Sequence, residues 1–212
     1  MIDFYTWTTP NGRKVSIMLE ETGLDYIVHS VDISKDEQFA PAFLKVAPNN
    51  KIPAIVDHDA EGGPVSVFES GAILLHLAEK SGKFLPTSGA ARAKVLEWLF
   101  WQMGGVGPII GQLGHFMTSA PEPNPYAIDR FISESARLVK VLDTQLADNE
   151  FMAGDYSIAD MATYPWLVLA LDPIKGAKAD VVGEAAHVTR WIASMAARAG
   201  VEKGMLVPEI SK

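Results

Sequence analysis

The first 80 residues alternate between the hydrophobic period of strands and that of helices, and this alternation constrains the fold more than any other feature. The segments that favour strands are 2–5, 26–31, 54–56 and 65–68, and those that favour helices are 14–22, 39–46 and 70–79. Gly23 is placed to end the first helix. The order β-α-β-α-β-β-α predicts a sheet that begins parallel and gains an antiparallel edge.

The strand pattern disappears after residues 81–88, whose Gly, Pro and Ser are typical of a linker. Ser157, with Asp160 three residues later, predicts a capped helix start. Helical spacing also covers 90–112, interrupted by GGVGP, then 126–146 and 184–198, while GHFMTSAPEPNP is predicted to be a loop. The expected fold is therefore an α/β domain over residues 1–80 followed by an all-α domain over residues 89–212.

The composition argues against several classes of function. The formal net charge is −8, whereas nucleic-acid-binding proteins are usually basic, so we expect no nucleic-acid partner. The chain has no cysteine and therefore no thiol nucleophile of its own, and its five histidines lack metal-ligand spacing, so we expect no metal. No apolar run approaches the roughly 18 residues of a membrane span, and the N-terminus does not resemble a signal peptide. We expect a cytoplasmic protein without a membrane partner.

The segment TTPNG lies between the first strand and the first helix and carries Thr8, Thr9 and Asn11. The free N–H groups and positive dipole of a helix N-terminus attract anions, and thiols held there have a lowered pKa. The Thr9 Oγ and Asn11 Nδ2 atoms can each donate a hydrogen bond to the sulfur of a bound thiol. The competing interpretation is that Thr9 or Asn11 only caps the helix.

Two further pairs admit both a binding and a structural interpretation. A cis bond at Ile52-Pro53 would let the Ile52 backbone pair with a peptide, but Pro at a strand start is also ordinary edge protection. Glu69-Ser70 opens a predicted helix, where Glu69 can accept an ammonium and Ser70 can hold a carboxylate. Ser70 is equally well suited to be a simple N-cap.

Charged and aromatic side chains near these elements have mainly structural explanations. Local sequence favours solvated surface positions for four cations, namely Arg13, Lys14, Lys51 and Arg130. Trp98 and Trp101 fit a helical core better than a stacking platform. No Ser-His-Asp arrangement and no Gly-rich phosphate loop can be recognised.

Taken together, the motifs PNNKIPAIVD, FESGAILLHLAEK, LEWLFWQMGGVGPIIGQ, PYAIDRF and SIADMATYPW resemble the Nu-class group of the glutathione transferase family. That group includes bacterial disulfide-bond reductases and is similar to the transferase domain of a yeast nitrogen-regulation prion protein. The resemblance covers essentially the whole chain. It implies a thioredoxin-like N-terminal domain, a linker and an all-helical C-terminal domain, with a homodimer as the expected assembly.

The resemblance also implies a glutathione site. The Ile52-Pro53 bond would be cis and the Ile52 backbone would pair with the cysteinyl part of glutathione, while Glu69 and Ser70 would bind its γ-glutamyl end. Thr9 and Asn11 would lie beside the sulfur as the catalytic residues. Further glutathione contacts are expected from Asn11, Gln38, Lys51, Pro53 and Arg130. Other classes of the family place a Tyr, Ser or Cys beside the sulfur, but Tyr5 lies within the first strand and does not match that position.

The leading functional hypothesis is a glutathione-dependent disulfide reductase, in which bound glutathione, or its disulfide, supplies the sulfur that the protein lacks. Conjugation of glutathione to electrophiles and reduction of hydroperoxides use the same thiolate and stay open. A non-catalytic glutathione-binding regulatory module is a third possibility, because fold does not determine function.

Overall fold

The protein, described here by a computed structural model over residues 1–209, forms two compact units. The first comprises Met1–Thr87 together with the described residues from Ala196 onward, and the second comprises Ser88–Met195. The described residues after Ala196, which the sequence-based division counted with the helical domain, pack within the first unit. The domain boundaries at residues 80 and 88 stay predictions, and residues 210–212 lie outside the described part of the chain.

A four-stranded sheet forms the centre of the first unit. Its strands are β1 Ile2–Thr6, β2 Tyr26–Ser30, β3 Ala54–Asp57 and β4 Val65–Phe68, in the spatial order β2-β1-β3-β4. β1 pairs with β2 in parallel and with β3 antiparallel, and β3 and β4 form an antiparallel hairpin. The predicted parallel start and antiparallel edge are confirmed. Along β1 the buried side chains alternate with partly exposed ones, as the period of a half-buried strand requires.

The helix α1, Pro10–Thr22, begins earlier than the apolar spacing predicted. The segment TTPNG, expected to lie between the first strand and the first helix, is partly helical, because Pro10 occupies the first helical turn, where its missing N–H costs nothing. Thr9 is the N-cap, and Gly23 ends the helix in the left-handed conformation at φ 72°, as predicted. The buried face of α1 carries Val15 and Met18 and packs against α3, Ser70–Ser81.

Of the two helices predicted after β2 in the first unit, one is shorter than predicted and the other has the expected core. The helix expected over 39–46 is reduced to the single turn α2, Pro41–Leu44, preceded by 3-10 turns at Ile33–Lys35 and Glu37–Phe39. α3 has the predicted core stripe, since Ile73, Leu74 and Leu77 are fully buried.

The second unit is entirely helical apart from isolated bridges at 151–155. Its helices are α4 Gly89–Trp101, α5 Gly107–Thr118, α6 Pro125–Gln145, α7 Ile158–Ala177, α8 Ala179–Val182 and α9 Ala186–Ala196. A π-helical turn, Gln102–Val106, joins α4 to α5 and includes the first three residues of GGVGP, while Gly107 and Pro108 begin α5. Trp98 is buried and its ring meets that of Trp101 edge-on at 5.0 Å, so the predicted core position of Trp98 is confirmed. No helix within residues 1–209 is both long and apolar enough to cross a membrane.

The predicted loop GHFMTSAPEPNP is partly wrong, because α5 continues through Gly114 to Thr118. Phe116 in this extension stacks on Phe131 of α6, with ring centroids 5.7 Å apart and planes 16° apart. This tertiary contact outweighs the modest helix-breaking tendency of a single glycine.

Asp160 connects the start of α7 to the interior of the second unit. Its Oδ2 accepts hydrogen bonds from the Ser157 N–H and Oγ–H, both at 3.1 Å, and the predicted capping box is confirmed. Its Oδ1 accepts from the Met152 N–H at 3.0 Å and from the Trp191 indole N–H at 2.9 Å. Burial raises the pKa of Asp160 to about 6, and these hydrogen bonds oppose that rise.

After α9, the chain packs a last short helix, α10 Ala199–Gly204, against α1. A Cβ on Gly204 would lie 2.5 Å from the Ile17 Cα, so the two backbones meet more closely than any side chain would allow. The Ser16 hydroxyl donates to the Gly204 carbonyl at 2.6 Å, and Arg198 makes a two-pronged ion pair with Glu21 at 2.8 and 2.9 Å. The C-terminal segment therefore holds the helix whose N-terminus carries Thr9 and Asn11.

Candidate functional site

A cavity of about 230 Å³ opens in the first unit where the N-terminal ends of α1 and α3 approach the start of β3. Its lining residues are Asn11, Asn49, Lys51, Ile52, Pro53, Phe68, Glu69 and Ser70. Asn11 lies in the first turn of α1, and Ser70 is the first residue of α3. Two helix N-termini at one cavity make it suited to an anionic ligand, because both present the positive end of the helix dipole.

Ile52 contributes its backbone to this cavity. Its peptide bond to Pro53 is cis, as the resemblance predicts. Among the hydrogen bonds of residues 1–209, the Ile52 N–H and carbonyl have no partner, while the Ile52 side chain packs against a buried cluster that includes Phe43 and Ala54. One backbone donor and one backbone acceptor next to β3 are therefore open, and an extended peptide ligand could form hydrogen bonds with both.

The structure corrects the predicted helix cap at Ser70. The helix starts at Ser70 itself, and Glu69 occupies the cap position with φ 72° and ψ 116°. Such a positive φ is costly for a residue with a side chain and is found most often at functional sites. The Glu69 carboxylate is exposed at the cavity and, within the described chain, makes no hydrogen bond of its own. It is available to an ammonium group.

Lys14 is also placed differently from its prediction as a solvated charge. Only 2% of its surface is exposed, and its Nζ donates to the Ser70 Oγ at 3.4 Å. The physical reason is its position on the face of α1 that also carries Val15 and Met18 and packs on α3. Burial lowers the pKa of Lys14 to about 7, and the Glu69 carboxylate opposes that fall.

Thr9 has the structural role that the competing interpretation gave it. Its Oγ1 accepts the Gly12 N–H at 3.2 Å and thereby caps α1. Accepting that bond leaves the hydroxyl proton of Thr9 free, since no described residue accepts it. Gly12 permits the arrangement, because a Cβ there would lie 2.3 Å from the Thr6 Oγ1 and 2.6 Å from the Trp7 carbonyl oxygen. Capping and donation to a sulfur are thus compatible.

Like Thr9 and Lys14, three further residues considered from the sequence lie outside the lining of this cavity. The Tyr5 ring stacks on His29 at 4.7 Å, and burial raises the pKa of the Tyr5 hydroxyl, which keeps it protonated. Gln38 is half-buried and donates to Asp36 at 3.4 Å. Arg130 belongs to the second unit, where it lines a cavity of about 630 Å³. The glutathione contacts expected of Gln38 and Arg130 stay predictions.

Sequence reasoning did not single out Asn49 and Phe68, which both line the cavity. Both lie inside motifs that were recognised: Asn49 belongs to PNNKIPAIVD and Phe68 begins FESGAILLHLAEK. Considering every residue of these motifs as a possible part of the site would have found both. Within residues 1–209, no group of three or more His, Asp and Glu side chains can hold a metal ion.

Comparison with known proteins assigns the family. Residues 8–80 match the family model described as "Glutathione S-transferase, N-terminal domain". The chain is 54% identical over 170 residues to the disulfide-bond oxidoreductase YfcG of Escherichia coli (strain K12), covering 79% of either chain. The chain belongs to the glutathione transferase family, and the fold and family expected from the sequence are confirmed.

Two solved structures share this fold along nearly the whole chain. A glutathione transferase from Pseudomonas putida, with one glutathione disulfide bound per subunit, superposes with a TM-score of 0.90 at 43% identity, covering 98% of this chain and 91% of its own. A glutathione transferase from Burkholderia graminis, with two glutathione molecules bound per subunit, gives a TM-score of 0.92 at 42% identity, with coverages of 99% and 89%.

Proposed function

We propose that this protein is a glutathione-dependent disulfide-bond reductase. The observation that carries the proposal is a single cavity that joins an unpaired Ile52 backbone, the Glu69-Ser70 pair and the first turn of α1, in a chain without cysteine. The similarity to a disulfide-bond oxidoreductase and to transferases that bind glutathione or its disulfide supports it. Glutathione is then a substrate that brings the reactive sulfur to the site.

The chemistry of the lining matches the parts of the tripeptide. The Glu69 carboxylate can accept the α-ammonium group of the γ-glutamyl end, and Ser70 at the start of α3 can donate to the adjacent carboxylate. The open N–H and carbonyl of Ile52 match the backbone of the central residue. Lys51, exposed at the rim, adds a positive charge.

Thr9, Asn11 and the N-terminus of α1 would stabilise the glutathione thiolate. Their donors and the helix dipole interact more strongly with S⁻ than with S–H, which lowers the thiol pKa. For a thiol that begins at a pKa of about 8.5, a fall of about one unit raises the thiolate fraction at pH 7 from about 3% to about 24%.

The reaction takes two thiol–disulfide exchanges. The first glutathione thiolate attacks one sulfur of the substrate disulfide, so a mixed disulfide forms and the other substrate sulfur leaves as a thiolate. A second glutathione thiolate attacks the glutathione sulfur of the mixed disulfide and releases the remaining substrate thiolate. Two glutathiones are oxidised to one glutathione disulfide, and the substrate disulfide gains the two electrons.

Reduction of 2-hydroxyethyl disulfide by glutathione tests the proposal. The wild-type protein should accelerate it well above the buffer rate. A Thr9→Ala/Asn11→Ala double variant should still bind glutathione and lose about a hundredfold or more in turnover, because each of the two hydrogen bonds to a charged sulfur contributes about 1.5 kcal/mol or more.

Matched controls separate chemistry from folding. Thr8→Ala alters the exposed neighbour of Thr9 and should leave turnover unchanged, and Thr9→Ser keeps both the cap and the hydroxyl donor. A wild-type rate equal to that of buffer, with glutathione still bound, would refute the reductase and favour a binding module.

We further propose that the protein is a homodimer in the cytoplasm. The family resemblance motivates the dimer, and Phe100 on α4, which is 61% exposed, offers an apolar contact, whereas Trp98 is buried within its own unit. A cytoplasmic location would supply the reduced glutathione that the reaction consumes. Sedimentation equilibrium measures the assembly, and a monomer at micromolar concentration would contradict it.

A further inference from the structure

We propose that Asn11 is a site of spontaneous deamidation, and that the Thr9 cap of α1 controls its rate by keeping the first helical turn closed. The modified amide is the one that the proposed function places beside the glutathione sulfur. The consequence for turnover rests on that function, whereas the chemistry at Asn11 does not depend on it.

The sequence and the packing together place a labile pair in the site. Asn11 is the only one of the chain's five asparagines that precedes a glycine. In a flexible chain this pair deamidates fastest, because glycine has no side chain to shield the attacking backbone nitrogen. Position 12 cannot carry a larger residue, since a Cβ on Gly12 would lie 2.3 Å from the Thr6 Oγ1 and 2.6 Å from the Trp7 carbonyl oxygen. The close packing at the start of α1 therefore forces the labile pair.

The reaction converts the side-chain amide into a carboxylate. The Gly12 nitrogen attacks the Asn11 Cγ, a new C–N bond closes a five-membered succinimide, and the side-chain NH₂ leaves with the Gly12 proton as ammonia. Water then opens the ring at either carbonyl carbon, which gives aspartate or isoaspartate at position 11. One water is consumed and one ammonia is released, and no atom changes its oxidation state.

The folded structure opposes the first step. Asn11 lies in the first turn of α1, and ring closure requires the Gly12 nitrogen to be eclipsed with the Asn11 Cβ, which a helical ψ does not allow. The Gly12 N–H also donates to the Thr9 Oγ1 at 3.2 Å, which holds the proton that this nitrogen must lose. Deamidation therefore requires the first turn to open.

Opening of this turn is an equilibrium that the cap controls. Closing is much faster than the chemistry, so the observed rate is the open fraction multiplied by the rate of the open chain. Loss of a Thr cap should raise the open fraction about fivefold, as the typical contribution of an N-cap requires. The rate at Asn11 should rise by the same factor.

Modification would end the contribution of Asn11 to thiolate stabilisation. A carboxylate accepts hydrogen bonds without donating them, and it repels a neighbouring S⁻. Asn11→Asp encodes one of the two products and should lose about tenfold or more in turnover. Its helix should persist, because an acidic residue is favourable in a first turn.

Peptide mass spectrometry after incubation in mildly alkaline buffer measures amide loss at each asparagine. In the folded wild type, Asn11 should react more slowly than in the same buffer with urea. Thr9→Val keeps the shape and β-branching of threonine without the cap, and should react about fivefold faster at Asn11 than the wild type. Thr9→Ser keeps the cap, Thr8→Ala changes its exposed neighbour, and both should react at the wild-type rate.

Asn50 serves as the reference for general unfolding, because it lies in the same unit and its rate should stay constant among these proteins. Turnover of the wild type should decline in step with Asn11 modification. Asn11→Gln cannot close a five-membered ring with the Gly12 nitrogen, so it should keep its own starting turnover throughout the incubation.

Equal Asn11 rates in Thr9→Val and the wild type, or equal wild-type rates in buffer and in urea, would overturn the inference. If Thr9→Val fails to fold, the second comparison decides. S-methylglutathione at about ten times its Kd should slow the wild-type reaction about tenfold, since only the closed turn binds it. Absence of that slowing, with the faster reaction of Thr9→Val observed, would count against the proposed glutathione site and leave the inference standing.

Discussion

α10 crosses α1 at Gly204 with the two backbones in close contact, and Gly204→Ala tests what this crossing contributes to stability. The added Cβ would lie 2.5 Å from the Ile17 Cα, 2.6 Å from the Ile17 nitrogen and 2.9 Å from the Ser16 carbonyl carbon. All three are backbone atoms, so no side-chain rotation can relieve the overlap. Either α10 moves away from α1 or both helices distort.

The expected loss has two parts. Overpacking of a close-packed interface typically costs about 1–3 kcal/mol. A displacement of α10 by about 1 Å would also break the 2.6 Å hydrogen bond from the Ser16 hydroxyl to the Gly204 carbonyl, which adds about 0.5–1.5 kcal/mol. The free energy of unfolding should fall by about 2–4 kcal/mol, which corresponds to about 4–16 °C in Tm for a chain of this size.

Urea unfolding followed by circular dichroism and by tryptophan fluorescence measures this loss. Gly176→Ala is the matched control, because Gly176 lies inside α7 and a Cβ there has no neighbour within 4 Å. That substitution should be neutral or stabilising by up to about 1 kcal/mol, since Ala is the better helix former. If Gly204→Ala unfolds at the same urea concentration as Gly176→Ala, the close crossing contributes nothing and the reasoning fails.

Two further substitutions test buried and partly buried carboxylates. Asp160→Ala removes the acceptor of four hydrogen bonds and should lower the free energy of unfolding by about 2–4 kcal/mol, measured by urea unfolding. The control Asp155→Ala, at an exposed position nearby, should change it by less than about 0.5 kcal/mol. Equal effects of the two substitutions would contradict the stabilising role of the Asp160 hydrogen bonds. Hydrogen bonds with His29 and His58 lower the pKa of Asp3 below its usual 3.8. The ionised Asp3 therefore stabilises the fold above pH 3.8, and this stabilisation is lost as the pH falls through the lower pKa of the folded state. The stability difference between the wild type and Asp3→Asn should therefore close below about pH 3.8, and a difference that stays constant from pH 7 to pH 3 would refute the assignment.

Much of the first unit's architecture could be predicted because it depends on local patterns. The order of strands and helices along the chain followed from the hydrophobic period. Gly23 ends α1 because the left-handed conformation there needs a residue that tolerates a positive φ. The errors lie where distant contacts decide. In the second unit, α5 continues through Gly114 because the Phe116 ring stacks on Phe131. In the first unit, Glu69 rather than Ser70 occupies the cap position of α3.

The candidate site also combines residues that local motifs predicted with a residue whose environment depends on distant contacts. Ile52, Pro53, Glu69 and Ser70 were predicted because they stand in compact motifs, and the structure brings them together at one cavity. Lys14 was misjudged, since a lysine beside apolar residues can reach solvent or be covered, and its neighbour on α3 is 56 residues away in the chain.

The sequence by itself determined the order of elements, the absence of a protein thiol and the membership of the motifs in one family, because periods, composition and short motifs are local properties. Only the tertiary structure decided which face of α1 is buried, that α10 packs on that helix, and that Lys14 contacts Ser70. Those outcomes depend on which surfaces meet, and the free energy of burying a charge or closing a helix crossing exists only once the two surfaces are in contact.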